Sequence, residues 1–145
     1  MNMNPSARVT RREAGFTLLE MLVVLAIMGL LAAIVAPQVM KYLGTSRTQT
    51  AKVQVQNITS ALELYRLDVG RYPTTDEGLA ALVTAPSTAP GWNGPYLKKA
   101  SALKDPWDQP YLYRNPGQHS EVDVYSLGSD KAEGGTGEAA DVGNW

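Results

Sequence analysis

The sequence predicts an α+β fold in which a long amino-terminal helix packs its second half on a small antiparallel sheet, with a short second helix between them. Three observations predict it. An apolar run fills residues 16–36, a helix-period apolar stripe follows over residues 51–69, and two strand-like runs lie at residues 111–114 and 122–127. The 145 residues suit one modest domain plus an anchor rather than two independent cores.

The first element is the apolar run FTLLEMLVVLAIMGLLAAIVA, residues 16–36, whose single charge is Glu20. As a helix it is roughly 30 Å long at about 1.5 Å per residue, enough to cross a bilayer core. A soluble helix of this length would show a polar face, and after Glu20 none appears before Gln38. Ahead of it, Arg8, Arg11 and Arg12 stand against Glu13 alone. A basic head before an apolar block directs a chain to a membrane and keeps the basic end in the cytoplasm. A removable secretory signal would be shorter and would end at a small-residue cleavage site. Here Ala33 and Ala36 run straight into Pro37, which argues that the block is retained.

The helix is expected to continue. Ala51, Val55, Ile58, Leu62, Tyr65 and Val69 are spaced 4, 3, 4, 3, 4, one stripe on one face, while Lys52, Gln56, Asn57, Glu63 and Arg66 fall off it. Gly70 and Pro73 end the element. Pro37 lacks an N–H and crowds the preceding turn, so a kink or melted turn is expected there, with Gly44 a second soft point.

The stripe needs a partner. Residues 75–83 (TDEGLAALV) read as a short helix with Thr74 or Thr75 as cap and Asp76 and Glu77 in the first turn. Residues 84–95 are a Pro- and Gly-rich loop. In the second strand Val122, Val124 and Ser126 alternate with Asp123, Tyr125 and Leu127, and residues 115–120 between the strands suit a hairpin connection. Residues 128–145 form a Gly-rich acidic tail.

Several chemistries are excluded. With 13 Lys+Arg against 14 Asp+Glu, no global charge argues for nucleic acid. The chain has no cysteine, which removes disulfides, thiolate metal sites and cysteine nucleophiles. A metal ion or assembly with neighbours then becomes the more attractive stabiliser for a small exported domain. His119 has no second histidine to form a metal triad or relay and is expected in the turn at residues 116–120. Asp105 and Asp108, flanked by Pro106 and Pro110, suit turn caps better than an acid/base pair. Trp92, Trp107 and Trp145 suit packing better than a ligand platform. No nucleotide-binding glycine fingerprint appears, and the chain is not expected to be an enzyme.

The junction Arg11-Arg12-Glu13-Ala14-Gly15-Phe16-Thr17-Leu18-Leu19-Glu20 resembles the type IV pilin and pseudopilin superfamily. The blocks YPTTDEGLAAL (72–82), GPYL (94–97), DPWDQPY (105–111), SLGSD (126–130) and GNW (143–145) are similar, in order, to the major-pseudopilin branch, general secretion pathway protein G of type II secretion. Type IV pilins used in adhesion or motility, the alternative reading, usually end in a cysteine-closed loop, so the absence of cysteine favours the secretion branch.

The resemblance implies a pilin-like fold in three parts. These are a leader at 1–15, a transmembrane and assembly helix at 16–36, and a periplasmic domain at 37–145. A prepilin peptidase would cut between Gly15 and Phe16 and methylate the new amine. Taken alone, Glu20 reads as a carboxylate near the membrane interface. The resemblance gives it an assembly role instead, pairing with a released Phe16 amine, and Pro37 belongs to the same assembly segment. The implied partners are further copies in a homopolymeric pseudopilus, minor pseudopilins and the inner-membrane assembly platform. The resemblance also implies a C-terminal calcium loop, with the Leu127 carbonyl, Asp130 and Asp141 as ligands. Some members of that branch carry paired acidic residues where this chain has Ala140 before Asp141. Glu138, Glu133 or water is left to supply the missing oxygen.

Overall fold

The structure, a computed structural model, describes residues 15–145; the basic head and most of the proposed leader lie outside the described residues. These residues form two compact units, one closing at Val39 and the other spanning Met40–Trp145. Helix α1 runs Leu18–Val69. Thr17 caps it: its Oγ1 accepts the Glu20 N–H at 3.1 Å, and the Glu20 carboxylate accepts the Thr17 N–H at 3.4 Å. This reciprocal box satisfies N–H groups that the first turn otherwise leaves free.

Helical structure continues unbroken through Pro37, so the melted turn expected there is not formed. Proline removes one intrahelical hydrogen bond, and the turns on either side of it hold the helical course. The helix stops at Gly70, whose φ of 82° is a left-handed conformation open to glycine and whose N–H bonds the Arg66 carbonyl at 2.8 Å.

The core belongs to the second unit. Ala51, Val55, Ile58, Leu62 and Tyr65 are buried as the stripe predicts, joined by Ala61, while Val69 is half-buried at the edge. They meet Tyr72, Leu79, Ala81, Leu82, Tyr111, Val122, Val124 and Val142. Each fully buried Leu or Ile here contributes about 1.5–3 kcal/mol relative to exposure. Tyr111 ties the domain to α1 through its hydroxyl, which donates to Gln54 Oε1 at 2.7 Å.

The second helix is shorter than its sequence suggests. Thr74 and Glu77 form a second reciprocal box, with Glu77 N–H on Thr74 Oγ1 at 3.2 Å and Thr74 N–H on Glu77 Oε2 at 2.7 Å. The cap was legible, but Gly78 at φ 58° breaks the course after one turn, and a 3-10 helix Leu79–Leu82 follows. Arg71 holds the Glu77 carboxylate through two hydrogen bonds of 2.7 and 2.8 Å. Together with the Thr88 hydroxyl and the Thr74 N–H, against a smaller opposing effect of burial, it draws the Glu77 pKa down to about 2.

Strands β1 (Leu112–Arg114), β2 (Asp123–Ser126) and β3 (Val142–Gly143) form an antiparallel sheet in the order β1-β2-β3. Tyr113 pairs with Val124, and Ser126 with Val142. The predicted hairpin between β1 and β2 is present. The buried Asp123 carboxylate organises it by accepting the N–H groups of Gln118, His119 and Ser120 at 2.6, 3.1 and 2.9 Å. Burial pushes this carboxyl up, and those backbone donors outweigh it and hold it below the usual range.

Strand β3 lies in the Gly-rich acidic tail. Two residues are too few to show alternation, so periodicity could not reveal it. Beyond it, the Asn144 side chain imitates a peptide group. Its Oδ1 accepts the Val124 N–H at 3.0 Å, and its Nδ2 donates to the Val122 carbonyl at 2.9 Å.

Candidate functional site

Two places hold the residues singled out from the sequence: the start of α1 and the loop between β2 and β3. At the first, Gly15 and Phe16 precede the helix as extended chain, and Phe16 is exposed. Glu20 occupies the third helical position, where a carboxylate is favoured by the positive end of the helix dipole. Its box with Thr17 has the sequence signature Thr-x-x-Glu, which a charge at membrane depth masks. The box fixes the Glu20 carboxylate within 3.4 Å of a backbone amide at the mouth of the helix. From there through Leu43 every α1 residue is exposed, including Leu18, Leu19, Leu22, Leu25, Met28, Leu30 and Leu31. An 18-residue window of this stretch is apolar and uncharged enough to cross a membrane, and none of it is buried. So large an apolar surface on all sides of a helix needs lipid or other helices around it.

The second place is residues 127–141. Gly128 (φ 68°) turns the chain out of β2, and Ser126 Oγ accepts its N–H at 3.1 Å. The loop then folds on itself, with the Ser129 N–H on the Glu138 carbonyl at 2.9 Å. Asp141 closes it: its N–H bonds the Gly134 carbonyl at 3.2 Å, and its Oδ2 accepts the Gly134 N–H at 3.0 Å. Its other oxygen, Oδ1, is buried with no hydrogen-bond partner. A buried carboxylate oxygen without a donor is costly, and a cation is one way to satisfy it.

Asp130 is exposed and accepts the Ala132 N–H at 3.1 Å, while Leu127 is half-buried beside Gly128. Among the described residues no three acidic or histidine side chains converge on one point. Glu133 lines the same hollow as Asp141, whereas the Glu138 side chain lies against Gly44 on α1.

The other candidates have structural tasks. Asp105 is buried and caps its turn, accepting the N–H groups of Trp107 and Gln109 at 3.0 and 2.8 Å and the Ser126 hydroxyl at 2.5 Å. Asp108 pairs with Lys104 at the surface. His119 sits in the hairpin turn as expected and stacks on Trp145 with ring centroids 4.0 Å apart. Trp92 donates its indole N–H to the Ala81 carbonyl at 2.7 Å, and Trp107 packs on the core. Trp145 is the exception to the packing expectation, remaining about half exposed.

Comparison with known proteins accords with this geometry. The sequence model of the family "Type II secretion system (T2SS), protein G" matches residues 38–145, and that of the prokaryotic N-terminal methylation motif matches residues 10–36. The type II secretion system core protein G of Pseudomonas aeruginosa is 46% identical over 93% of this chain and 96% of that protein. The Vibrio cholerae core protein G is 44% identical over 93% of each. The crystal structure of the major pseudopilin from enterohaemorrhagic Escherichia coli superimposes with a TM-score of 0.60. It covers 73% of this chain and 92% of that one, at 36% identity. From both halves of its sequence and from its fold, the chain belongs to the type II secretion system protein G family, the major subunits of the pseudopilus.

Proposed function

We propose that the chain acts mechanically, as a subunit drawn from the inner membrane into a homopolymeric pseudopilus that supports export of folded periplasmic proteins. The carrying observation is α1 itself. Its first part exposes apolar side chains in every direction, so it exchanges lipid for neighbouring helices without repacking its own core. In this reading a prepilin peptidase removes residues 1–15 and methylates the amine of Phe16. Residues 16–36 span the membrane, and residues 37–145 face the periplasm.

Glu20 then serves twice. It caps its own helix through Thr17, and it offers a carboxylate to the Phe16 amine of an incoming copy, where a paired charge at membrane depth costs far less than an unpaired one. Minor pseudopilins and the inner-membrane assembly platform complete the partner set. No catalytic role is assigned to any residue. Intact mass and amino-terminal sequencing of the mature protein test the processing, with N-methyl-Phe16 expected. A mature chain beginning at Met1 or near Ala36 would overturn it. Glu20→Ala is expected to insert and fold while failing to enter fibres, and normal polymer yield would remove the pairing.

Calcium is assigned to the loop at residues 127–141, with the Leu127 carbonyl, Asp130 and Asp141 as its holders and Glu133 as the nearest further carboxylate. The orphaned Asp141 Oδ1 supports this, as does the all-oxygen character of the donors. Bound there, the ion would cross-link the two ends of the loop. Calcium is expected to raise the thermal midpoint and protease resistance of the full chain, and Asp141→Asn to abolish both effects. An unchanged midpoint across a calcium titration would refute the assignment.

A further inference from the structure

Glu138 makes a contact that neither metal binding nor core packing explains. Gly44 is buried although the α1 residues around it are exposed, and the next buried residue is Ala51. What covers it is the Glu138 side chain. A Cβ built on Gly44 would fall on the Glu138 carboxylate, with Cγ and Cδ each 2.5 Å away.

Glycine inside a helix costs about 1 kcal/mol relative to alanine, and Gly44 does not have the positive φ that would require it. Close approach by Glu138 is therefore what the missing side chain permits. The surrounding groove, about 320 Å3, is lined by Lys41, Thr45 and Thr48 on α1 and by Gly137 and Glu138 on the loop. Lys41 brings the opposite charge to the same groove. Gly137, at φ 65°, lies just before Glu138, whose carbonyl holds the Ser129 N–H. One residue thus stitches the loop behind it and meets the helix in front.

We infer that Gly44 is a notch that receives Glu138, and that Glu138 is a positioning residue fastening the loop to α1 rather than a calcium ligand. The second clause rests on the calcium reading above; the fastening does not. The loop is thereby joined to the helix below the core stripe, so that ordering the loop orders residues 41–48.

The test uses the full chain in detergent micelles with Gly44→Ala, Glu138→Ala and the double variant. Hydrogen exchange is followed at the Ser129 and Ala139 amides, together with proteolysis within residues 131–137. Each single variant is expected to speed loop exchange about tenfold. This occurs in Gly44→Ala even though alanine favours the helix. The double variant is expected to be no worse than Glu138→Ala, because truncating Glu138 makes room for the new methyl. Unchanged loop exchange in Gly44→Ala, or fully additive effects, would overturn the fastening. For the metal, Glu138→Ala is expected to keep calcium affinity within about twofold while Asp141→Asn loses at least about tenfold. Equal losses would make Glu138 a ligand and overturn that clause. Should the unaltered chain bind no calcium, the calcium reading alone falls and the exchange cycle still decides the fastening.

Discussion

Helix α1 contains two stretches that share a backbone and differ in everything else. From Leu18 to Val39 it buries no residue; from Ala51 to Val69 it buries six. The first stretch is apolar all round and the second only along one stripe, so they need different surroundings. The second finds its partner in its own sheet, and the first must find one outside the chain. A continuous helix therefore says little about where the stability of each part comes from.

The largest expected effect sets the two stretches against each other directly. Leu62→Ala, at a fully buried site, is expected to destabilise the Met40–Trp145 unit by about 2–5 kcal/mol and lower its thermal midpoint accordingly. Leu25→Ala, at a site 72% exposed, is expected to stay within about 0.5 kcal/mol in the same micellar assay. Comparable losses would mean that the first stretch packs on its own domain.

Next in size is the Arg71–Glu77 pair. The Glu77 pKa is lowered in the folded chain, so its stabilisation is fully present above the ordinary carboxylate value. It is lost as pH falls from about 4.5 towards about 2. Allowing for the part-exposed Arg71, about 2 kcal/mol of acid-sensitive stability is expected, and Glu77→Gln should flatten that limb of the stability profile.

Smaller again, Thr17→Ala removes the α1 cap for about 1 kcal/mol of local helix stability. Faster exchange at the first-turn amides, with the domain's thermal midpoint unchanged, is the expected sign. Smallest is Lys104→Ala, which breaks an exposed pair with Asp108 and should cost no more than about 0.5 kcal/mol in chemical denaturation.

The legible parts were those written in periodicity. The stripe from Ala51 to Tyr65 and the alternation of Val122, Val124 and Ser126 each repeat often enough to fix an element and its inward face. Short or non-repeating features were hidden. Strand β3 has two residues, the Gly78 break depends on a single dihedral angle, and the uninterrupted passage through Pro37 overrides a local preference. At the candidate sites, the motif at Gly15–Glu20 is plain, while the Thr17 box within it is hidden behind the anomaly of a charge in an apolar run. The contact between Glu138 and Gly44 joins residues at opposite ends of the domain sequence, which no local pattern encodes.

The two outer strands of the sheet carry three and two residues, and the Asn144 amide occupies backbone partners of β2 beside the shorter one. Strand edges are where proteins stick together without discrimination, and brief, plugged edges discourage it. A subunit of a family that assembles into a pseudopilus has particular need of that restraint. The sheet's stinginess leaves the exposed apolar helix as the larger sticky surface and discourages strand-to-strand drift into amyloid-like tangles.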